Sequence, residues 1–218
     1  MAFGSLASYS TSNNFPHILY TSPSSNFVEG KVYAVNMNSF PVKLRIAVIN
    51  SADINDLQSS DYIIYNHTIG VGESFISDDI FLKDGESVVT RTDLTDVKIS
   101  FRGSEVGLST SVCGILSTFS PVTNIKLGAG QVVYNIPASI LETDVNLFVT
   151  NTGPDYVEVS VGIGTSIASL HYLVYNQNVE PGEFFCKTNV KIGPSEIIYS
   201  KATKTDVNIV ALGKTTSR

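Results

Sequence analysis

Carboxylates and histidines are the side chains with which this chain could do chemistry. Glu73, Glu86, Glu183 and Glu196 read as two carboxylate pairs, the group set of a glycoside hydrolase acid and nucleophile. Each, however, follows or sits inside a turn signal: Gly70-Val71-Gly72, Lys83-Asp84-Gly85, Glu180-Pro181-Gly182 or Gly193-Pro194. In such places an acidic side chain caps backbone amides or faces water, so the expected role is structural. His17, His67 and His171 are widely spread, without His-x-x-x-His or Cys-x-x-Cys spacing, and zinc needs three or four convergent ligands. Asp53, Asn55, Asp56 and Asp61 could offer oxygens to calcium. Leu57 interrupts their alternation and the glycine of a calcium loop is missing, so a solvated acidic loop is expected. Gly70-Val71-Gly72, Gly128-Ala129-Gly130 and Gly162-Ile163-Gly164 do not lead into helices, so they lack the amide nest of a phosphate loop. No Gly-x-Ser-x-Gly elbow is present. Asn66-His67-Thr68 fits the glycosylation acceptor pattern, which has meaning only on a secretory route. The sequence therefore nominates no catalytic residue, no cofactor-binding residue and no metal ligand.

What must position these residues is a module that occurs twice. Gly4-Ser5-Leu6-Ala7-Ser8-Tyr9-Ser10 returns as Gly114-Ile115-Leu116-Ser117-Thr118-Phe119-Ser120, and Tyr62 to Gly103 returns without a gap as Tyr172 to Gly213, both at an offset of 110. Glu73/Glu183, Glu86/Glu196, Asn66/Asn176, Thr95/Thr205, Asp96/Asp206 and Gly103/Gly213 are identities of that repeat. Between these stretches the offset rises to 114 at Tyr20/Tyr134 and 115 at Asn36/Asn151. It then falls back because the loop Asn50 to Ser60 is shortened in the second copy. The implied modules are 1–107 and 108–218, each large enough to close its own core, joined by a limited hinge at Ser104 to Cys113.

Period-two alternation dominates both copies. Val42, Leu44, Ile46 and Val48 match Val157, Val159, Val161 and Ile163 as inward phases; Val97, Ile99 and Phe101 match Val207, Ile209 and Ala211. Tyr62 to Tyr65 and Tyr172 to Tyr175 read as β-branched and aromatic strands, with several tyrosines expected in the core. Lys83-Asp84-Gly85-Glu86 reads as a tight hairpin turn, and Thr95-Asp96 and Thr205-Asp206 as turns whose side-chain oxygens cap free amides. About seven short strands per module and no amphipathic helix predict an all-β chain of two tandem antiparallel β-sandwich domains, Ig-like or jelly-roll-like.

Composition sets further bounds. A hydrophobic fraction of 43% with 16% charged residues is a globular balance. The net charge of −6 leaves no basic field for a phosphate backbone, so nucleic acid is not expected as a partner. No run approaches the roughly 20 apolar residues that span a bilayer, and the opening Met-Ala-Phe-Gly-Ser-Leu lacks a signal-peptide pattern, so a soluble product made in a cytoplasm is expected. Cys113 and Cys186 fall on Phe3 and Ile76 of the other copy and read as small buried hydrophobes.

The first module resembles a family of small virion structural proteins of marine T4-like tailed phages, the cyanophages among them. Met-Ala-Phe-Gly-Ser-Leu-Ala-Ser, Leu19-Tyr20-Thr21-Ser22-Pro23, Val42-Lys43-Leu44-Arg45-Ile46-Ala47, Asp61-Tyr62-Ile63-Ile64-Tyr65-Asn66, Leu82-Lys83-Asp84-Gly85-Glu86 and Asp96-Val97-Lys98-Ile99-Ser100-Phe101-Arg102-Gly103 carry the resemblance. The second module follows it more loosely and lacks the basic residues at Lys43 and Arg45. The resemblance implies a non-enzymatic component of a phage particle, made in the host cytoplasm, whose partners are other virion proteins and copies of itself, without nucleic acid, membrane or cofactor. It leaves open head decoration against a tail, neck or baseplate position. Ten tyrosines on a sandwich keep a module for host-surface glycans as the alternative, although the absence of Trp removes the usual stacking platform.

Overall fold

The alternating runs fold as strands, and their apolar phase turns inward as the sequence implies. Val42, Leu44, Ile46 and Val48 join one buried core with Val97, Ile99 and Phe101; Val157, Val159, Val161 and Ile163 join another with Val207, Ile209 and Ala211. The computed structural model describes residues 3–12, 14–107, 111–119, 131–166 and 171–217. Within them the first module consists of β1 (Phe3–Ser10), β2 (His17–Thr21), β3 (Asn26–Asn36), β4 (Val42–Ile49), β5 (Tyr62–Ile69), β6 (Ser74–Ile76), β7 (Ile80–Leu82), β8 (Ser87–Thr92) and β9 (Val97–Gly107). The second consists of β10 (Ser111–Phe119), β11 (Gln131–Asn135), β12 (Ile140–Asn151), β13 (Val157–Gly164), β14 (His171–Val179), β15 (Phe184–Ile192), β16 (Ile197–Ala202) and β17 (Val207–Ser217).

The two sets of strands share one topology. The first forms the sheets β1-β9-β3-β6, with β7 also on β3, and β2-β8-β4-β5; the second forms β10-β17-β12-β15 and β11-β16-β13-β14. Counting β6 and β7 as the broken counterpart of β15, each module is an eight-position strip folded on itself: first with last, second with seventh, third with sixth, fourth with fifth, all antiparallel. This is the order of a jelly roll, two four-stranded sheets facing each other. The fold is all-β, with one strand position more per module than the sequence reading counts. Because β7 and β8 belong to different sheets, Lys83-Asp84-Gly85-Glu86 crosses from sheet to sheet instead of closing a hairpin. Gly85 and its counterpart Ser195 both take positive φ there (77° and 63°).

The modules do not meet through a hinge. Val210, Leu212 and Phe148, on the outward face of the β10-β17-β12-β15 sheet, are buried in the core cluster of the first module. The first module contributes the edges of its sandwich, β5 and β7, and the residues that lead into them, whose outward carbonyls are open to a neighbour. Side chains of the second module bond to these carbonyls: Thr150 Oγ1 donates to Ile63 O at 2.5 Å, Asn146 Nδ2 to Asp79 O at 2.9 Å, and Asn208 Nδ2 to Ser59 O at 2.5 Å and Tyr62 O at 3.3 Å. At Gly114 a Cβ would collide with the Glu86 carboxylate and the Lys83 amide, so glycine there permits the close approach.

Candidate functional site

The shared residues serve the scaffold. Gly70 N donates to Glu73 Oε2 at 2.9 Å, Lys83 N to Glu86 Oε2 at 3.0 Å, and Gly193 N to Glu196 Oε2 at 2.7 Å. In each case the glutamate's own amide returns the bond to the same residue's carbonyl, which closes the turn from both sides. Glu86 is fully buried and also pairs with Lys83 at 3.3 Å. Glu183 instead faces the seam near His67. His67 packs against Phe75 (ring centroids 4.7 Å) and, across the seam, Phe184 (5.7 Å). Burial pulls its imidazole below the ordinary range, with Glu183 opposing. His17 stacks on Tyr9 at 3.9 Å, and His171 lies exposed at the start of β14. Among the described residues no group of three or more His, Cys, Asp or Glu side chains could hold a metal ion.

Other expectations need revision. Asp53, Asn55 and Asp56 are exposed, but Asp61 is half-buried, and its Oδ2 accepts from Gln58 N at 2.7 Å to close a turn. Burial, first of all, pushes its carboxyl up. Thr95 Oγ1 donates to the Asp96 carboxylate at 3.3 Å; the free amide at this turn, that of Val97, is capped by Thr11 Oγ1 at 3.0 Å. Cys186 is half-buried at the seam against the first module's core, its thiol raised by burial and then by Asp78. The side chain of Cys113, and Gly128-Ala129-Gly130, lie outside the described residues. Tyr62 is buried under Ile54 and Leu57 of the acidic loop. Where that loop is shortened, Tyr172 and Tyr175 are 50% and 63% exposed instead of packed inside.

The residue pair that sequence reasoning passed over is Asn36 and Asn151, used there only to register the repeat. Both are buried. Asn36 Nδ2 donates to Phe40 O (2.8 Å), Ile69 O (3.1 Å) and Gly70 O (3.0 Å), while Oδ1 accepts from Asn38 N (2.8 Å). Asn151 repeats this with Asp155 O (2.7 Å), Val179 O (3.0 Å) and Gly153 N (2.9 Å). One amide thus ties the loop after the third strand to the turn after the fifth. Met37 N to Asp96 O (3.1 Å) ties in the turn before β9, and Thr152 N to Asp206 O (2.8 Å) does the same before β17.

The clamp is shared, but the loop tips it presents are not. In the first module they carry Met37, Phe40, Val71 and Leu94, exposed by 63%, 65%, 55% and 37%. At the matching positions of the second module stand Thr152, Asp155, Pro181 and Lys204. There Lys204 Nζ pairs with Asp155 Oδ2 at 2.8 Å, so the tip satisfies its own charges. Phe40 and Leu94, the counterparts of that ion pair, are left to water. This tip is the candidate functional surface: apolar side chains on short, hydrogen-bonded loops, which a partner can bury at little ordering cost.

Comparison with known proteins yields no matching family model and no matching curated protein. Solved structures similar to the chain include the infectious bursal disease virus T13 particle, at 8% identity and a TM-score of 0.31 over 98% of this chain and 70% of that one. Broad bean stain virus gives 9% identity and 0.29 over 98% and 88%. The CBM22-1–CBM22-2 tandem domain from Paenibacillus barcinonensis Xyn10C gives 12% identity and 0.25 over 90% and 80%. At these values the likeness is one of strand-rich build, and assigns no activity.

Proposed function

We propose that this chain is a non-enzymatic structural protein of a phage virion, attached to the particle through protein–protein contacts as a head decoration or as a tail, neck or baseplate accessory. The observation that carries the reading is the divergence at the clamped tips. An identical buried asparagine holds the same loops in both modules, yet the first exposes Met37, Phe40, Val71 and Leu94, where the second exposes one large ring, Tyr156, under Lys204. Apolar residues kept in water on an otherwise polar loop set mark a surface that is covered in use. The strand-and-turn resemblance of the first module to cyanophage virion proteins supports the same reading. So does the seam, which makes two jelly rolls one body able to hold a fixed place among neighbours. Partners on this reading are other virion proteins and copies of the chain, and the location is the virion after synthesis in the host cytoplasm. Jelly rolls host many functions, so the fold alone does not decide. Quantitative mass spectrometry and immunogold labelling of purified virions test the proposal: a fixed copy number per particle is expected, and particles without the chain would refute it.

A second reading rests on the exposed Tyr172 and Tyr175, whose rings meet edge to face at 5.0 Å with Lys201 Nζ 5.6 Å from the Tyr175 centroid. Exposed aromatic faces are what a glycan stacks on. Binding on a glycan array that disappears in Y172A/Y175A would establish this reading; a blank array would end it.

A further inference from the structure

We infer that Arg45, Arg91 and Lys43, on the outward face of β4 and β8, form a binding site for a carboxylate. Arg45 and Arg91 are direct cross-strand partners, an arrangement that brings their side-chain roots to about 5 Å and is destabilising for like charges with nothing between them. Lys43 lies two residues from Arg45 on the same strand, hence on the same face. Among the described residues, both guanidinium groups are held by hydrogen bonds that use only Nε. Arg45 Nε donates to Asn66 Oδ1 at 2.6 Å, and its guanidinium carbon lies 4.2 Å from the Tyr65 ring centroid. Arg91 Nε donates to Asn14 O at 2.9 Å. Those contacts leave the terminal Nη groups, the fork that takes a carboxylate in two parallel bonds. Between them lies a cavity of about 70 Å3, lined by Asn14, Lys43, Arg45, Asn66, Arg91 and Asp93. The one carboxylate there, Asp93, accepts from the Lys43 backbone amide at 2.7 Å. Among the described residues none of the three cations makes an ion pair with an acidic side chain.

The second module shows that the fold requires neither the arginine pair nor Lys43, keeping a single cation, Lys201, in their place. Asn176 repeats the left-handed bulge of Asn66 (φ 47° and 55°), but its partner is Ser160, whose Oγ receives the Asn176 amide at 2.9 Å and lies 3.1 Å from Asn176 Oδ1. Glu158, Ser160 and Lys201 occupy the positions of Lys43, Arg45 and Arg91. A serine suffices to hold the bulge and a lysine to stand opposite it, so the pairing of two guanidinium groups in the first module answers to something other than folding. The inference does not depend on the virion role proposed above. The carboxylate has two possible sources: an acidic side chain of another polypeptide, with Asp53 and Asp56 of a second copy among the exposed ones, or a free small anion.

The test follows the arginine Nε–Hε resonances of the full chain by NMR while acetate is added, with sodium chloride at equal ionic strength as the control. Arg45 and Arg91, identified among the chain's four arginines through R45S and R91K, should shift saturably with acetate, and either substitution should weaken binding about tenfold or more. R45S installs the residue that the second module uses and R91K keeps the charge while losing the fork, so both should fold. Shifts that match the chloride control, or saturable shifts unchanged in R45S, would overturn the site. Sedimentation at low ionic strength separates the sources. Self-association lost in both R91K and D53N/D56N assigns the carboxylate to a second copy, and a monomer that still saturates with acetate assigns it to another molecule.

Discussion

The outward faces of two matching sheets, β1-β9-β3-β6 and β10-β17-β12-β15, have the same strand order and opposite fates. In the first, Lys98, Ser100 and Arg102 alternate with the core residues of β9; in the second, Asn208, Val210 and Leu212 take those places and pack against the neighbouring module. Tyr33 on one face corresponds to Phe148 on the other, and only Phe148 is fully buried. The inward phase is set by the jelly roll and is therefore common to both copies, while the outward phase records what each copy touches. Differences between the modules are thus more informative about contacts than identities are.

Truncating the paired outward residues should separate the two faces most widely. F148A should cost about 3–5 kcal/mol in denaturant unfolding, the range for removing a buried aromatic side chain, whereas Y33A should cost about 1 kcal/mol or less. Similar losses would mean that the seam contributes nothing special. The clamps should behave alike. N36A and N151A each strand one buried carbonyl, Ile69 O or Val179 O, together with part-buried ones, so each should lose about 2–3 kcal/mol, measured in the same way. An effect confined to one module would undo their equivalence. The smallest expected effect concerns His67, whose pKa in the folded chain is depressed by burial. The unfolded chain then takes up the proton first, so the seam's contribution is complete above the ordinary imidazole pKa of about 6.5 and is lost as pH falls through the folded value. H67Q, the residue found at the matching Gln177, should flatten the pH dependence of Tm between neutral and mildly acidic buffer; an unchanged slope would remove His67 from the account.

The sandwich was legible because alternation in Val42–Val48 and Val157–Ile163 reports a two-sided environment directly, and the turn glutamates because capping is a local matter. The seam was less so. Its signal, the run Val207 to Leu212 without polar alternation where the first copy reads Val97-Lys98-Ile99-Ser100-Phe101-Arg102, was present but shows only that a second face is covered, not by what. Asn36 and Asn151 read at most as local turn residues, through Asn38 and Phe40 or Gly153 and Asp155; their clamping role was hidden because the other partners, Ile69 and Gly70, and Val179, lie far along the chain. Tyr172 and Tyr175 misled because a strand pattern shows which face a side chain takes, while their cover depends on a loop the second copy shortened.

Whether the chain meets its neighbours through the unmatched tip of the first module is decided by giving that tip the second module's ion pair. F40D/L94K copies Asp155 and Lys204, and its incorporation into virions can be measured beside its unfolding midpoint. Unchanged stability with lost incorporation is expected; incorporation at the level of the unaltered chain would mean that the tip is not the contact.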